Sequence, residues 1–177
     1  MIKPTHIIAV VRYRSNDMGY EIERKFKANL DEAITGIGDG TAIIQGYLTT
    51  KPPVIRIRVS AKNSGDDKTS HLTIKGPGLV VRSEYEFRIP NFIAVWLLGH
   101  CRATIRKIRY KKEFAGKVWE IDRFTGRHGG LCIAEVELSQ QNEYVELPPW
   151  VNEEVTRDPH YTNLSMAVSG FVPGTKR

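Results

Sequence analysis

The sequence has little cysteine, no long apolar run and no block of positive charge, and each shortage excludes something. Two cysteines, Cys101 and Cys132, in 177 residues cannot build a disulfide framework. A reducing compartment is expected, and with no partner base in view both cysteines read as packing residues. No stretch approaches the ~20 apolar residues of a membrane helix, and Ile7–Val11 is too short for a signal-peptide core. The expectation is a cytoplasmic protein with no membrane partner. The formal net charge is +6, which points to a polyanionic partner. Yet the Lys/Arg-rich run of a nucleic-acid-binding tail is missing. Positive charge comes singly, as R-x-R or K-x-R, which favours a small, multiply charged ligand over a duplex. His6, His71, His100, His128 and His160 have no mutual metal-ligand spacing and are expected on the surface or in turns. Repeats, low-complexity segments and linkers are also missing. One domain is expected over residues 18–177, with Met18 as its functional start and residues 1–17 as an N-terminal extension.

What the chain does have is alternation of charged and apolar residues, in strand after strand. Alternate side chains of a strand leave opposite faces. EIERKF at 21–26 therefore puts Glu21, Glu23 and Lys25 on one face and Ile22, Arg24 and Phe26 on the other. AIIQGYLT at 42–49 is a second strand. VIRIRVS at 54–60 sets Arg56 and Arg58 against Ile55, Ile57 and Val59. HLTIK at 71–75 sets His71, Thr73 and Lys75 against Leu72 and Ile74. RSEYEFRI at 82–89 aligns Arg82, Glu84, Glu86 and Arg88. IRKIRYK at 105–111 aligns Lys107, Arg109 and Lys111; VWEIDRF at 118–124 aligns Glu120 and Asp122; LCIAEVEL at 131–138 aligns Glu135 and Glu137. Between them, Asn29 with Glu32 three positions on starts a short helix, Leu30 to Ile37. Asn91 to about Gly99 forms another, with Phe92, Val95, Trp96 and either Leu97 or Leu98 as its buried side. A weak helix is expected near Asn163–Val168. Tyr47, Tyr85, Phe87, Trp96 and Trp119 read as core. Arg24 and Arg106 fall on the outer side, while Glu113, Glu143 and Glu146 read as surface charge.

Two carboxylates aligned on one strand face repel and disfavour a packed sheet. Here some strands carry paired acids and others paired bases. Closing the sheet as a barrel, apolar face outward, brings the two kinds within reach of each other across a charged lumen. Carboxylates suit hard divalent cations, and Arg and Lys grip phosphate oxygens. Together they supply what phosphoryl transfer requires.

The ordered segments resemble the CYTH-domain proteins of the triphosphate tunnel metalloenzyme superfamily, from Gly19 to about Val168. The matching segments are E-x-E-x-K at Glu21, Glu23 and Lys25; QGYL at 45–48; RIR at 56–58; LTIKG at 72–76; EYEFRIP at 84–90; KIRY at 107–110; WEID at 119–122; GLCIAEVEL at 130–138; and PPWVNEEVTRDPHYTN at 148–163. The resemblance implies a mainly β protein: a closed eight-stranded antiparallel β-barrel tunnel with helices packed outside. It implies that Lys25, Arg56, Arg58, Lys75, Arg88, Lys107 and Arg109 bind a triphosphate. Glu21, Glu23, Asp122, Glu135 and Glu137 would hold Mg²⁺ or Mn²⁺. Lys107, with Glu21 and Glu23, would serve catalysis, Lys107 by orienting or activating the attacking water. Glu84, Glu86 and Glu120 would line the tunnel. The implied activity is cleavage of inorganic tripolyphosphate to pyrophosphate and phosphate by in-line water attack, in a monomer or homodimer. An adenylate cyclase of the class IV type, a nucleoside or thiamine triphosphatase, and a polyphosphate-binding module without turnover are the alternatives. IIQGYL lacks the His-Phe pair that the cyclases tend to carry in an early strand.

Overall fold

The computed structural model describes residues 11–12, 20–62, 68–78 and 81–173. Its strands are β1 (Val11–Arg12), β2 (Tyr20–Ala28), β3 (Thr41–Tyr47), β4 (Val54–Lys62), β5 (Lys68–Lys75), β6 (Val81–Arg88), β7 (Ala103–Phe114), β8 (Lys117–Phe124), β9 (Cys132–Glu137) and β10 (Val151–Glu154). Three short α-helices are interspersed: α1 (Leu30–Ile34), α2 (Asn91–Gly99) and α3 (Asn163–Ser169). Hydrogen-bonded order runs β6-β5-β4-β3-β7-β8-β9-β2, and β2 pairs back to β6. The ring is therefore a closed eight-stranded antiparallel barrel, as the alternation and the resemblance led us to expect. Among the described residues, closure rests on three pairs: Tyr20 with Ser83, Glu21 with Arg82, and Ile22 with Val81. Beyond that seam β1 takes the free edge of β6, with Val11 opposite Phe87. β10 takes the free edge of β2, with Val151 opposite Ala28. β1 falls within the segment read as an extension; the rest of residues 1–17 lies outside the described residues.

Outside the barrel, a core forms on β2, β8 and β9 around Phe26, Trp119, Ile121, Ala134 and Val136. Trp119 stacks at a tilt on Phe26 (5.6 Å between centroids) and edge-on to Trp150 (5.5 Å). α2 lies over the outer face of β3, β4 and β5. It sits close because residue 46 is glycine: a Cβ there would meet Cys101 Sγ at 2.5 Å and Leu98 Cδ2 at 2.8 Å. That approach corrects the expected orientation of the helix. Ala94 is fully buried and Leu98 packs on the sheet, whereas Phe92, Val95 and Trp96 are exposed. Tyr85, also read as core, is exposed as well, while Tyr47 and Trp119 are buried.

A second core was not anticipated. Residues directly opposite in an antiparallel pair share a face. Val54 faces Lys75, Phe124 faces Lys107, and Ile133 faces Asp122. These apolar residues therefore point inward, together with Tyr47 and Ile105. They pack against Val155, Tyr161, Met166 and Ala167. The C-terminal segment thus closes one end of the barrel with an apolar plug, so the lumen is charged over only part of its length. α3 is well specified for this job. Thr162 accepts a hydrogen bond from the Ser165 amide (3.1 Å) at its start, and Gly170 ends it in the left-handed conformation (φ 64°).

His128 serves the plug too. It lies in a turn, as expected, but is buried rather than on the surface (2% exposed), and its Nε2 donates to the Met166 carbonyl at 3.0 Å. Burial, with Arg127 nearby, holds its pKa below the ordinary 6.5 against the raising effect of that hydrogen bond. Below pH 6.5 the unfolded chain then binds more protons than the folded one. His128 therefore costs nothing above pH 6.5 and becomes destabilising as the pH falls from there towards its folded-state value. The melting temperature, measured from pH 8 to pH 5, should fall less steeply on the acid side in His128→Gln than in the wild type.

Candidate active site

The register aligns the predicted side chains on the inner face. Glu23 lies opposite Glu137, Lys25 opposite Glu135, Glu135 opposite Glu120, and Asp122 opposite Arg109. On the other wall Arg56 lies opposite Thr73, which lies opposite Glu86, and Lys75 lies opposite Glu84. Like charges therefore face each other directly between β2 and β9 and between β9 and β8. Only cations reaching in from neighbouring positions and strands relieve the repulsion.

Three ion-paired groups do this. In the first, Lys25 Nζ donates to Glu135 Oε1 at 2.5 Å and lies 2.9 Å from Glu23 Oε1. Burial works against the charge on Lys25, but Glu135 and Glu23 outweigh it and its pKa is raised. Arg82 Nη2 donates to the same Glu23 oxygen at 2.6 Å. In the second, Arg109 grips Asp122 through Nε and Nη2, both at 2.6 Å, and reaches Glu135 Oε2 at 2.7 Å. It also pairs with Glu120, and Lys107 pairs with Asp122. The Lys107 and Asp122 side chains are fully sealed from solvent, and the ammonium lies over the Phe124 ring, 5.7 Å from its centroid. Burial first, and then Arg109, push the Lys107 pKa down to about 8 despite Asp122 and Glu135. Lys107 is thus held closer to its neutral form than an ordinary lysine. In the third, Arg56 Nη2 donates to Thr73 (2.9 Å) and reaches Glu84 (3.3 Å) and Glu86 (3.4 Å), while Lys75 pairs with Glu84. Arg58 is 4.0 Å from Glu86. Burial, then Arg56 and Arg109, lower the Arg58 pKa to about 10, leaving it charged at neutral pH.

The predicted residues line three cavities only in part, and Lys107 and Asp122 line none of these three. Lys25, Arg56 and Lys75 line one of about 240 Å³, to which Arg82, Tyr47 and Asn163 also contribute. Glu23, Glu120, Glu135 and Glu137 line another of about 320 Å³. Arg58, Arg109 and Glu120 line a third of about 530 Å³ at the end away from the plug. Glu137 is exposed, and so is Arg88, which lies opposite His71 at the end of β6. The Glu21 side chain lies outside the described residues. Four carboxylates in one lining, beside Lys111, Val118 and Val136, are the right chemistry for a hard divalent cation. Among the described residues, no three acids converge tightly enough to form a ready-made cage; their oxygens are turned towards Lys25, Arg82 and Arg109. Sequence reasoning placed Arg82 on the correct face but gave it no role. Its partner lies 59 residues away on another strand, and no local pattern signals that.

The sequence profile of the CYTH domain matches residues 19–168. The chain belongs to the CYTH-domain family. Two curated relatives are each named inorganic triphosphatase. The protein from Acetivibrio thermocellus is 39% identical over 158 residues, spanning 87% of this chain and 97% of its own. The protein from Nitrosomonas europaea is 32% identical over 158 residues, spanning 84% of this chain and 97% of its own. A crystal structure of an inorganic triphosphatase superposes with a TM-score of 0.56 at 30% identity, covering 84% of this chain and 94% of that one. Among the described residues of this CYTH domain, no helix is long and apolar enough to cross a membrane.

Removing one partner of a buried ion pair strands the other charge, at a typical cost of about 3–5 kcal/mol. Asp122→Asn leaves Lys107 and Arg109 short of their shared counter-charge. Urea unfolding should show a loss of that order, whereas Glu146→Gln, at an exposed position, should change stability by less than about 0.5 kcal/mol. Glu143, also read as surface charge, is instead partly buried, accepting from Ser139 and pairing with Lys117.

Proposed function

We propose that this CYTH domain is a metal-dependent hydrolase that cleaves the terminal phosphoanhydride of inorganic tripolyphosphate to pyrophosphate and phosphate. The observation that carries the reading is the inner face of the barrel. Buried arginines and lysines there face carboxylates across a lumen of small-molecule size. A multiply charged anion is the ligand such a face is suited to, because Arg and Lys donors meet phosphate oxygens in charge-assisted hydrogen bonds. The named activity of both curated relatives supports the same substrate class.

In this reading Lys25, Arg56, Arg58, Lys75 and Arg109 hold phosphate oxygens, with Arg88 at the end of β6. Glu21, Glu23, Glu135 and Glu137, with Asp122, would hold Mg²⁺ or Mn²⁺, which supplies electrostatic stabilisation of charge developing on the phosphate. Lys107, poised close to neutrality, orients the attacking water or takes its proton, and the arginines neutralise the departing pyrophosphate. Glu84, Glu86 and Glu120 keep the clamp residues extended and correctly spaced. Water enters as the nucleophile, the bond between the terminal phosphorus and its bridging oxygen breaks, and phosphate and pyrophosphate leave. The setting we expect is cytoplasmic.

The test is phosphate release from tripolyphosphate, ATP and thiamine triphosphate with Mg²⁺ and with Mn²⁺, with cyclic AMP assayed alongside. Tripolyphosphate should be the preferred substrate, and the cyclic product should not form. Glu21→Gln and Glu135→Gln should each abolish metal-dependent release in a folded protein. Lys107→Ala should lower kcat on the order of 100-fold while tripolyphosphate binding changes far less. Tight tripolyphosphate binding without turnover under any metal would point instead to a binding module.

A further inference from the structure

The acidic and basic cavities meet at one carboxylate. Glu23 lines the first, and its Oε1 accepts from Arg82 at 2.6 Å and lies 2.9 Å from Lys25; both of these cations line the second. Two cations thus share this single oxygen. A divalent cation binds carboxylate oxygen at about 2.0–2.6 Å, so any metal using this oxygen must first displace one of them. Lys25 stays anchored by Glu135 at 2.5 Å whether or not it keeps Glu23. Arg82 is better placed to leave. Its side chain is more exposed than that of Lys25 (14% against 6%). It stands on β6 at the three-pair seam, and it lines the basic cavity beside Arg56 and Lys75.

We propose that Arg82 is a positioning residue that exchanges partners, holding Glu23 until a phosphate enters the basic cavity and then turning its guanidinium onto that phosphate, which frees Glu23 for a divalent cation. The proposal rests on the reading of this barrel as a metal-dependent triphosphatase. The exchange explains why an arginine, with its planar fork of donors, suits this place: the same group satisfies a carboxylate and then a phosphate. It also makes the two ligands help each other, since phosphate binding removes a cation that competes with the metal.

Two direct titrations test it on the full chain. Free Mn²⁺ is counted by electron paramagnetic resonance as the metal alone is added. Tripolyphosphate alone is titrated calorimetrically in the presence of chelator. Arg82→Gln should bind Mn²⁺ at least about threefold more tightly and tripolyphosphate about tenfold more weakly, the loss expected for one charge-assisted contact. A purely structural clasp would loosen both, so weaker or unchanged Mn²⁺ binding in Arg82→Gln overturns the proposal. If Arg82→Gln does not fold, Arg82→Lys, which keeps the charge at the seam but loses the fork, decides it. Tripolyphosphate binding should then weaken severalfold with Mn²⁺ binding retained, and unchanged tripolyphosphate binding overturns the proposal. Glu23→Gln separates the two levels: if it binds Mn²⁺ as the wild type does, the metal reading fails, and the Arg82 exchange falls with it.

Discussion

Everything inside this barrel depends on neutralising buried cations. An unpaired ammonium or guanidinium in a protein interior costs several kcal/mol, and an opposing carboxylate offsets that only when the geometry is good. Here most pairs join different strands; Lys25 and Glu23, both on β2, are an exception. β9 and β8 contribute acids that repel where they face each other, and β7 contributes Lys107 and Arg109. Arg109 reaches Asp122, Glu120 and Glu135 at once, spanning three neighbouring strands. The sheet must curve and close for these distances to be met. The electrostatics and the closed fold are therefore one constraint, seen from two sides.

The plug sharpens that constraint. Lys107 sits at the boundary, with Phe124 directly opposite it in the register and Asp122 as its ion partner. On the plug side Tyr47, Ile105, Phe124 and Ile133 make the inner face largely apolar; towards the other end it is charged. A lysine placed where the dielectric falls feels burial more strongly than its neighbours do. That explains how one lysine of the lumen is lowered to about 8 while Lys25, between two carboxylates, is raised.

Most of the barrel was legible because period-two alternation is a local signal. Arg56 and Arg58, or Glu135 and Glu137, announce their shared face from a handful of residues. What could not be read was anything that depends on the partner of a face. Tyr47, Val54, Ile105, Phe124 and Ile133 continue the same alternation as the charged residues, and only the placement of α3 shows that they point into a plug. FIAVWLL in α2 is apolar all round, so spacing could not choose a buried side; the space left by Gly46 did. β10 carries Glu153 and Glu154 and reads as a polar loop, yet Arg24 holds Glu154 through two hydrogen bonds and fastens it to β2. Among the ion partners, Arg82 with Glu23 and Lys25 with Glu135 were the least legible, because they join strands far apart in sequence.

That separation has a consequence for how the molecule comes into being. β2, first of the barrel strands in the chain, is hydrogen-bonded to β9, the last, and Glu23 stands opposite Glu137 across that ladder. A nascent chain can pair the start of β2 with β6, but the stretch of β2 from Glu23 to Lys27 waits for β9. Contacts so distant in sequence form slowly, whereas the pairs of Arg109 with Asp122 and of Lys75 with Glu84 join consecutive strands and can form early. The acidic part of the site that needs both β2 and β9 is the part that must wait.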